Sequence, residues 1–169
     1  MGFPSKLKDL NYYGDGYSYR GIIAEVTVPK LVAKLGDWRG GGMLGEVPWT
    51  QGLEKLEMEI KLGGLFRQAF ISFGATGNSQ TLDRYVAAFQ DDDTGTVQRL
   101  EIVSRGPTSE IDMGNGKPGD DTEHTFKRIC TYYKLIVDGE VWLEIDFVAG
   151  IFIVFGIDRY AEIRNAIGV

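Results

Sequence analysis

The sequence predicts a mainly β (α+β) protein, a β-barrel or sandwich with one embedded helix and a C-terminal helix. Residues 56–62 alternate strictly between apolar and polar side chains, which is the period of a strand with one buried face. Asp138-Gly139 separates two segments rich in β-formers, a strong signal for a tight hairpin. Helical periodicity occurs in only two short stretches. With 169 residues, the chain is expected to form a single domain, 1–169.

Seven or so strands are predicted in order along the chain. The first ends at Pro29, which has no N–H to donate to a ladder. In the second, four apolar side chains share one face, and Glu57, Glu59 and Lys61 share the other. The expected strands are 19–28, 56–62, 83–90, 97–104, 125–137, 140–146 and 151–155.

Two helices are predicted. Residues 65–73 place five apolar side chains on one stripe, and Gly74 follows as a C-cap. Residues 158–165 form the second helix, which we expect to be N-capped by Asp158 and ended by Gly168.

The segment 36–52 fits neither the strand period nor the helix period. We predict an extended loop, longer than compact domains usually carry without a function. Large apolar residues on such a loop indicate a surface for a partner. The alternative is that the tryptophans fold back onto their own core. The residues concerned are Trp38, Arg39, Gly40, Gly41, Gly42, Met43 and Trp49.

Composition excludes several classes of protein. The net charge of −6 argues against a general nucleic-acid or anionic-membrane binder, and the acidity is concentrated in the loops 91–93 and 110–123. A single cysteine excludes a disulfide framework and a cysteine-based zinc cluster. No apolar run reaches the ~20 residues of a membrane span, and no secretory signal is found. A soluble protein folded in the cytosol is therefore expected. Glycine occurs 23 times, about twice its average usage.

The motifs that suggest chemistry do not support an enzyme. The glycine pattern 114–119 contains Pro118 and is followed by two aspartates, which excludes a phosphate loop. Residues 91–95 fit a hairpin turn better than a calcium loop. His124 and Cys130 share one strand face about 20 Å apart, too far for a nucleophile–base pair. No catalytic, cofactor-binding or metal-binding residue is predicted.

Spaced motifs nevertheless cover nearly the whole chain, from about residue 6 to 169. They are residues 31–35 with 38–43, residues 105–106 with 110–123, residues 130–135 with 138–139 and 144–146, and residues 156–159 with 164–168. Together they resemble the major tail tube proteins of contractile-tailed temperate phages and of the related R-type bacteriocins.

The resemblance implies a structural subunit of the virion tail, assembled in the host bacterial cytoplasm. Hexameric rings with a continuous inner β-barrel would stack into a hollow conduit for DNA passage or membrane puncture. The implied partners are further copies of the chain and the tail sheath, baseplate, tape-measure and tail-terminator proteins, with no cofactor. The alternative is a ring-forming tube protein of a type VI-like secretion system, which has the same fold.

The resemblance also gives roles to two sets of residues. The segment 36–52 becomes an arm that contacts a neighbouring subunit or the adjacent ring. Glu57, Glu59 and Lys61 become candidates for the lumen wall. Six copies at −6 each carry −36 per ring, so DNA is expected to pass without specific binding.

Overall fold

The computed structural model describes residues 2–74, 76 and 81–169. Within these residues the chain forms fourteen strands and two short helices. The strands are β1 (Lys6–Gly14), β2 (Tyr17–Ser18), β3 (Ile23–Thr27), β4 (Ala33–Trp38), β5 (Val47–Leu53), β6 (Leu56–Leu62), β7 (Leu82–Gln90), β8 (Val97–Arg105), β9 (Thr108–Asp112), β10 (His124–Cys130), β11 (Tyr132–Val137), β12 (Glu140–Asp146), β13 (Ile151–Val154) and β14 (Ile157–Asp158). The helices are α1 (Arg67–Ile71) and α2 (Ala161–Ile167).

Twelve of these strands form two antiparallel sheets. Sheet A has eight strands in the order β14-β13-β12-β11-β8-β7-β1-β2, and sheet B has four in the order β3-β6-β10-β9. Strands β4 and β5 form a third, two-stranded sheet, and within the described part of the chain they pair with no other strand. The predicted mainly β fold with two helices is confirmed.

The hydrophobic core lies between sheets A and B. In β6 the alternation puts Leu56, Met58, Ile60 and Leu62 on the inner face, where each is at least 99% buried. Each such side chain contributes about 1.5–3 kcal/mol to folding when it leaves water. Sheet A contributes mainly aromatic and aliphatic residues to the same core, and the result is a two-layer sandwich. The core residues from sheet A are Tyr12, Tyr85, Ala87, Ile102, Tyr133 and Ile145.

Two of the places where the chain crosses from one sheet to the other lie next to each other. Gly106-Pro107 carries it from β8 in sheet A to β9 in sheet B, and Thr131 carries it from β10 in sheet B to β11 in sheet A. The crossings are joined by two backbone hydrogen bonds, from the Thr131 N–H to the Arg105 carbonyl (2.8 Å) and from the Ile129 N–H to the Pro107 carbonyl (3.0 Å). The prediction of one strand over 125–137 is therefore wrong, because a single residue redirects the chain without a glycine or proline.

Two predicted turns are confirmed. Asp138 and Gly139 have φ values of 49° and 81° and join β11 to β12, as a type I′ hairpin requires. Between β7 and β8, the Asp91 carboxylate accepts a hydrogen bond from the Asp93 N–H (2.8 Å). The segment 91–95 is thus a turn between paired strands.

The element ends differ from prediction at three places. Strand β3 begins only at Ile23, because the chain turns after Tyr19. The Tyr19 carbonyl accepts hydrogen bonds from the N–H groups of Ile22 and Ile23. Helix α1 is shorter than predicted and ends at a Ser72 C-cap, with Gly74 following at a φ of 78°. Asp158 does not cap α2. It lies in β14 and accepts a hydrogen bond from the Tyr160 N–H (3.0 Å), whereas Gly168 caps the C-terminus as predicted.

Candidate assembly surfaces

The segment predicted as an extended loop is a separate two-stranded hairpin, inserted between β3 and β6 of sheet B. Strands β3 and β6 pair in the sheet, and the chain between them returns as the β4–β5 ladder, with Ala33 opposite Leu53 and Trp38 opposite Val47. We call residues 33–53 the arm. Only 39–46 is a loop, so the prediction of a loop over 36–52 is wrong in its conformation. A free ribbon buries neither face, and its sequence therefore shows no strand period.

One face of the arm presents large apolar side chains to solvent. Trp38 is 66% exposed and Trp49 is 53% exposed, so neither folds back into the core between the sheets. Register places both on the same face, and Trp49 lies against Gly36, where an added Cβ would come within 2.9 Å of the indole ring. The apolar groove on this face is lined by Trp38, Met43, Val47, Pro48 and Trp49.

The tip of the arm is a tight turn built on glycine. The Met43 N–H donates to the Gly40 carbonyl (3.2 Å), and Gly42 has a φ of 82°. The Gly40 N–H points at the Met43 sulfur (3.0 Å). Arg39 and Gly41 complete the turn and are exposed, whereas Gly40 is half-buried. An isolated two-stranded hairpin is marginally stable in water, so an arm of this kind gains stability from a surface to pack on.

The outer face of sheet B, which points away from the core, is acidic. The strand register puts Glu57, Glu59 and Lys61 on this face, as predicted, with further charged residues on the neighbouring strands. Within the strands, five carboxylates stand there against two lysines. They are Glu25, Glu57, Glu59, Glu110 and Asp112, with Lys61 and Lys127. A further lysine, Lys55 directly before β6, pairs with Glu57 (2.9 Å).

Both lysines on this face are held by carboxylates. Lys61 Nζ lies 3.2 Å from Glu123 and 3.7 Å from Glu25, and Lys127 Nζ lies 3.1 Å from Glu110. The hydrogen bond that Lys61 donates to Glu123 raises the pKa of Lys61, and the one that Lys127 donates to Glu110 raises the pKa of Lys127. The positive charges are therefore neutralised locally, and the face keeps an excess of negative charge.

Sheet B ends in two strands with open edges. Among the residues that the structure describes, β3 pairs with β6 alone. Strand β9 pairs with β10 on one side, and on its other side the described residues make one isolated bridge, between Thr108 and Phe73. Open edges present unpaired N–H and C=O groups, which are ready to pair with a strand of another chain.

A buried ion pair joins the two sheets. Arg128 of β10 is 4% exposed, and its Nε atom contacts the carboxylate of Asp83 of β7, which is 1% exposed. Its remaining nitrogens donate to the Gly106 carbonyl (2.9 Å) and to the hydroxyls of Ser72 and Thr108 (both 3.2 Å). We call these five residues the Arg128 cluster. Burial raises the pKa of Asp83 to about 7, against the opposing effect of Arg128.

Sequence reasoning missed the Arg128 cluster, although one signal was present. Arg128 lies two residues from Phe126 and from Cys130 in the same strand, so the strand period alone puts the guanidinium on the buried face. Which residues the guanidinium contacts on that face depends on the pairing of β10 with its neighbours and on the residues that sheet A places opposite it.

The remaining motifs lie in the buried strand β10, where His124 and Cys130 share one face as predicted, and in an exposed loop. His124 and Cys130 are both buried on the inner face of β10, and burial raises the pKa of the Cys130 thiol to about 11, which keeps it protonated. The loop that holds the 114–119 glycine pattern is exposed. Over the described ranges, no group of three His, Cys, Asp or Glu residues is placed to hold a metal ion. Nor does any helix there have the length and apolar character to cross a membrane.

Comparison with known proteins gives close relatives over the full chain. The family model described as "Phage tail tube protein FII" matches residues 4–168. The tail tube protein of Escherichia phage P2 is 43% identical over 173 residues, with all of both chains covered. The major tail tube protein of Serratia phage KSP20 is 37% identical, covering 100% of this chain and 99% of the relative.

Solved structures extend the comparison to the fold. A chain of the sheath–tube complex of the PVC extracellular contractile injection system, in its extended state, superposes with a TM-score of 0.59. The match covers 80% of this chain and 92% of that chain at 6% identity. At this identity the likeness concerns the fold alone.

Proposed function

Because the chain belongs to the phage tail tube protein FII family, we propose that its copies close into hexameric rings, which stack into the hollow inner tube of a contractile tail. It is a structural protein of the virion tail. The observation that carries the proposal is the arm, because its apolar face is not covered by the body of the subunit.

The rings would close through the two open edges of sheet B. Strand β3 of one subunit would pair with β9 of the next, which uses two different edges and therefore gives a heterologous interface that closes by rotation. Six copies of this four-stranded sheet would then form one continuous inner barrel. The same pairing satisfies the backbone groups that otherwise leave an edge prone to aggregation.

The arm would join one ring to the next. It extends the β3 and β6 segments past the end of sheet B, so its apolar face lies outside the layer that closes the ring. Burying Trp38 and Trp49 on an adjacent ring or subunit removes their exposed area from water and orders the hairpin. Ring closure and ring stacking would thus use different surfaces.

The outer face of sheet B would line the lumen. Its excess of carboxylates, Glu57 and Glu59 among them, would repel the phosphate backbone, so that DNA moves through without specific binding. A lumen rich in free lysine or arginine would instead hold DNA by counterion release. We assign no enzymatic activity, cofactor or metal to the chain.

The partners follow from the place of a tube in a tail. The tube would contact a sheath on its outer side, a baseplate at one end, a terminator at the other and a tape-measure protein within. The type VI-like alternative is not favoured, because both curated relatives are phage tail tube proteins.

We expect the double substitution Trp38→Ser and Trp49→Ser to abolish tube formation while the subunit stays folded. The two side chains are more than half exposed in the subunit, so their loss costs the fold little, but it removes the apolar contact between rings. Negative-stain microscopy of the purified protein shows tubes, single rings or neither, and thermal unfolding reports the fold. Thr50→Ala, on the opposite face of the arm, serves as the control. Tubes of ordinary length in the double variant would refute this role of the arm.

We expect Glu57→Lys with Glu59→Lys to leave tubes intact and to slow DNA ejection. The change turns the sheet B face from repulsive to attractive for phosphate without touching the core side of β6. The matched control is Asp93→Lys with Glu140→Lys, which changes the charge equally at two exposed sites of sheet A, one in the turn between β7 and β8 and one at the start of β12. Ejection is followed as release of DNA from particles. Unchanged ejection, or both glutamates on the outer wall of the tube, would contradict the lumen assignment.

A further inference from the structure

The loop between β9 and β10, residues 113–123, contains an asparagine followed directly by a glycine. Asn115 and Gly116 are exposed and lie outside any helix or strand. Among the described residues, neither the Asn115 side-chain amide nor the Gly116 N–H takes part in a hydrogen bond. We propose that Asn115-Gly116 is a site of spontaneous deamidation, with water as the only co-reactant.

The reaction proceeds through a cyclic imide. The backbone nitrogen of Gly116 attacks Cγ of the Asn115 side chain, a C–N bond forms, and the bond from Cγ to the side-chain nitrogen breaks. The proton of the attacking nitrogen leaves with that amide group as ammonia. Water then opens the five-membered succinimide at either carbonyl, which gives aspartate or isoaspartate. Nothing is oxidised or reduced, and the net charge changes from −6 to −7.

The structure leaves the attacking nitrogen free to reach Cγ. A Cβ added at Gly116 would meet no atom within 4 Å, so neither a side chain nor a packed neighbour restricts this part of the loop. Glycine also gives the backbone the widest choice of dihedral angles, and cyclisation requires a rotation out of the ground-state conformation.

The other asparagines show what protection looks like. In β1, the Tyr12 N–H that would attack Asn11 instead donates to the Asn11 side-chain oxygen (2.8 Å), and the side-chain nitrogen donates to Ser18 (3.2 Å). Asn165 lies in helix α2 and is followed by Ala166, so its backbone is fixed by the helix. Asn78 lies outside the described residues. Asn115 has neither kind of restraint.

The product would change a groove that is already acidic. Asn115 lies in a groove with Lys117 and four carboxylates, from Asp112, Asp120, Asp121 and Glu123. A fifth carboxylate adds like-charge repulsion at the base of the edge strand β9. The isoaspartate form also inserts one more backbone atom between β9 and β10, so the loop after modification differs in length as well as charge.

The test is a time course on the purified, full-length folded protein at mildly alkaline pH. Peptide mapping by mass spectrometry follows conversion of each asparagine, and labelling by protein isoaspartate methyltransferase reports the isoaspartate form. We expect the Asn115 peptide to convert to both products while the Asn11 and Asn165 peptides keep their amides. Gly116→Ala is expected to slow conversion several-fold, since the added Cβ fits the loop but restricts the attacking backbone.

Two further samples separate the effect of the structure from that of the sequence. In the unfolded protein, Asn11 and Asn165 are expected to lose their protection and convert. Asn115→Asp is expected to focus at the same isoelectric point as the aged natural protein and to gain no charge at this peptide. The proposal is overturned if Asn115 keeps its amide while Asn11 or Asn165 converts in the folded protein, or if Gly116→Ala converts as fast as the natural sequence.

Discussion

Replacing Arg128 by methionine is expected to lower the free energy of unfolding by about 3–5 kcal/mol, the cost of breaking a buried ion pair on one side. The guanidinium makes four contacts at the centre of the sandwich, and methionine can replace the aliphatic part of the side chain but none of these contacts. Asp83 would be left buried with no positive charge beside it. Chemical denaturation of the variant beside the natural protein measures the difference.

The loss of stability in Arg128→Met is also expected to grow as the pH rises above 7. Burial already raises the pKa of Asp83 to about 7, and removing Arg128 raises it further because Arg128 is the largest effect that opposes burial. An acid whose folded pKa exceeds its unfolded pKa contributes stability that is lost as the pH rises through the folded value. In the natural protein this loss of stability ends near pH 7. In the variant it continues to higher pH, and it grows by about 1.4 kcal/mol for each pH unit by which the pKa of Asp83 rises further.

Two controls distinguish the lost ion pair from other effects of the substitution. Lys127→Met, one residue earlier, removes an exposed ion pair with Glu110 and is expected to cost no more than about 1 kcal/mol. Arg128→Met combined with Asp83→Leu removes both charges and is expected to recover much of the stability. The explanation fails if the double variant is less stable than Arg128→Met alone.

Much of the fold is predictable because it is encoded locally. The alternation from Leu56 to Leu62 marks both the strand and its buried face, and Asp138-Gly139 marks a hairpin, since each signal depends on residues next to one another. The break at Thr131 has no such signal. It is imposed by the second crossing at Gly106-Pro107, which is distant in sequence and adjacent in space.

The arm shows the opposite limit. Its strands read as a loop because hydrophobic periodicity reports burial of one face, and the arm buries neither face against its own chain. The exposure of Trp38 and Trp49 distinguishes the two alternatives that the sequence left open. Neither tryptophan folds back onto the subunit's own core, and the partner surface is what we propose for them.

The acidic face could be predicted only in part. The strand period places Glu57, Glu59 and Lys61 together, but Glu25 and Glu110 join them only through the pairing of β6 with β3 and of β10 with β9. Register between strands that are distant in sequence is set by the packed core as a whole, and no single segment specifies it.

Gly106→Ala is expected to destabilise the subunit by more than about 4 kcal/mol, among the largest effects of a single substitution. A Cβ at this position would lie 1.6 Å from the Ile129 carbonyl oxygen and 2.8 Å from the Ile129 carbonyl carbon. Both atoms belong to backbone, so no side chain can rotate away, and one of the two sheet crossings must move. The measurement is denaturant unfolding, together with the soluble fraction on expression.

The position of Gly106 explains why moving this crossing is so costly. The segments on either side are held to β10 by the hydrogen bonds from Ile129 to Pro107 and from Thr131 to Arg105, and the Gly106 carbonyl itself accepts from Arg128 (2.9 Å). Displacing Gly106 therefore disturbs the ladder at the crossing and the buried ion pair at once. Gly41→Ala, where an added Cβ meets nothing within 4 Å, is the matched control and should stay within about 0.5 kcal/mol of the natural protein. A free energy of unfolding for Gly106→Ala within about 1 kcal/mol of this control would contradict the prediction. It would mean that the two crossings can move apart at little cost, so that the close contact between Gly106 and the Ile129 backbone does not stabilise the subunit.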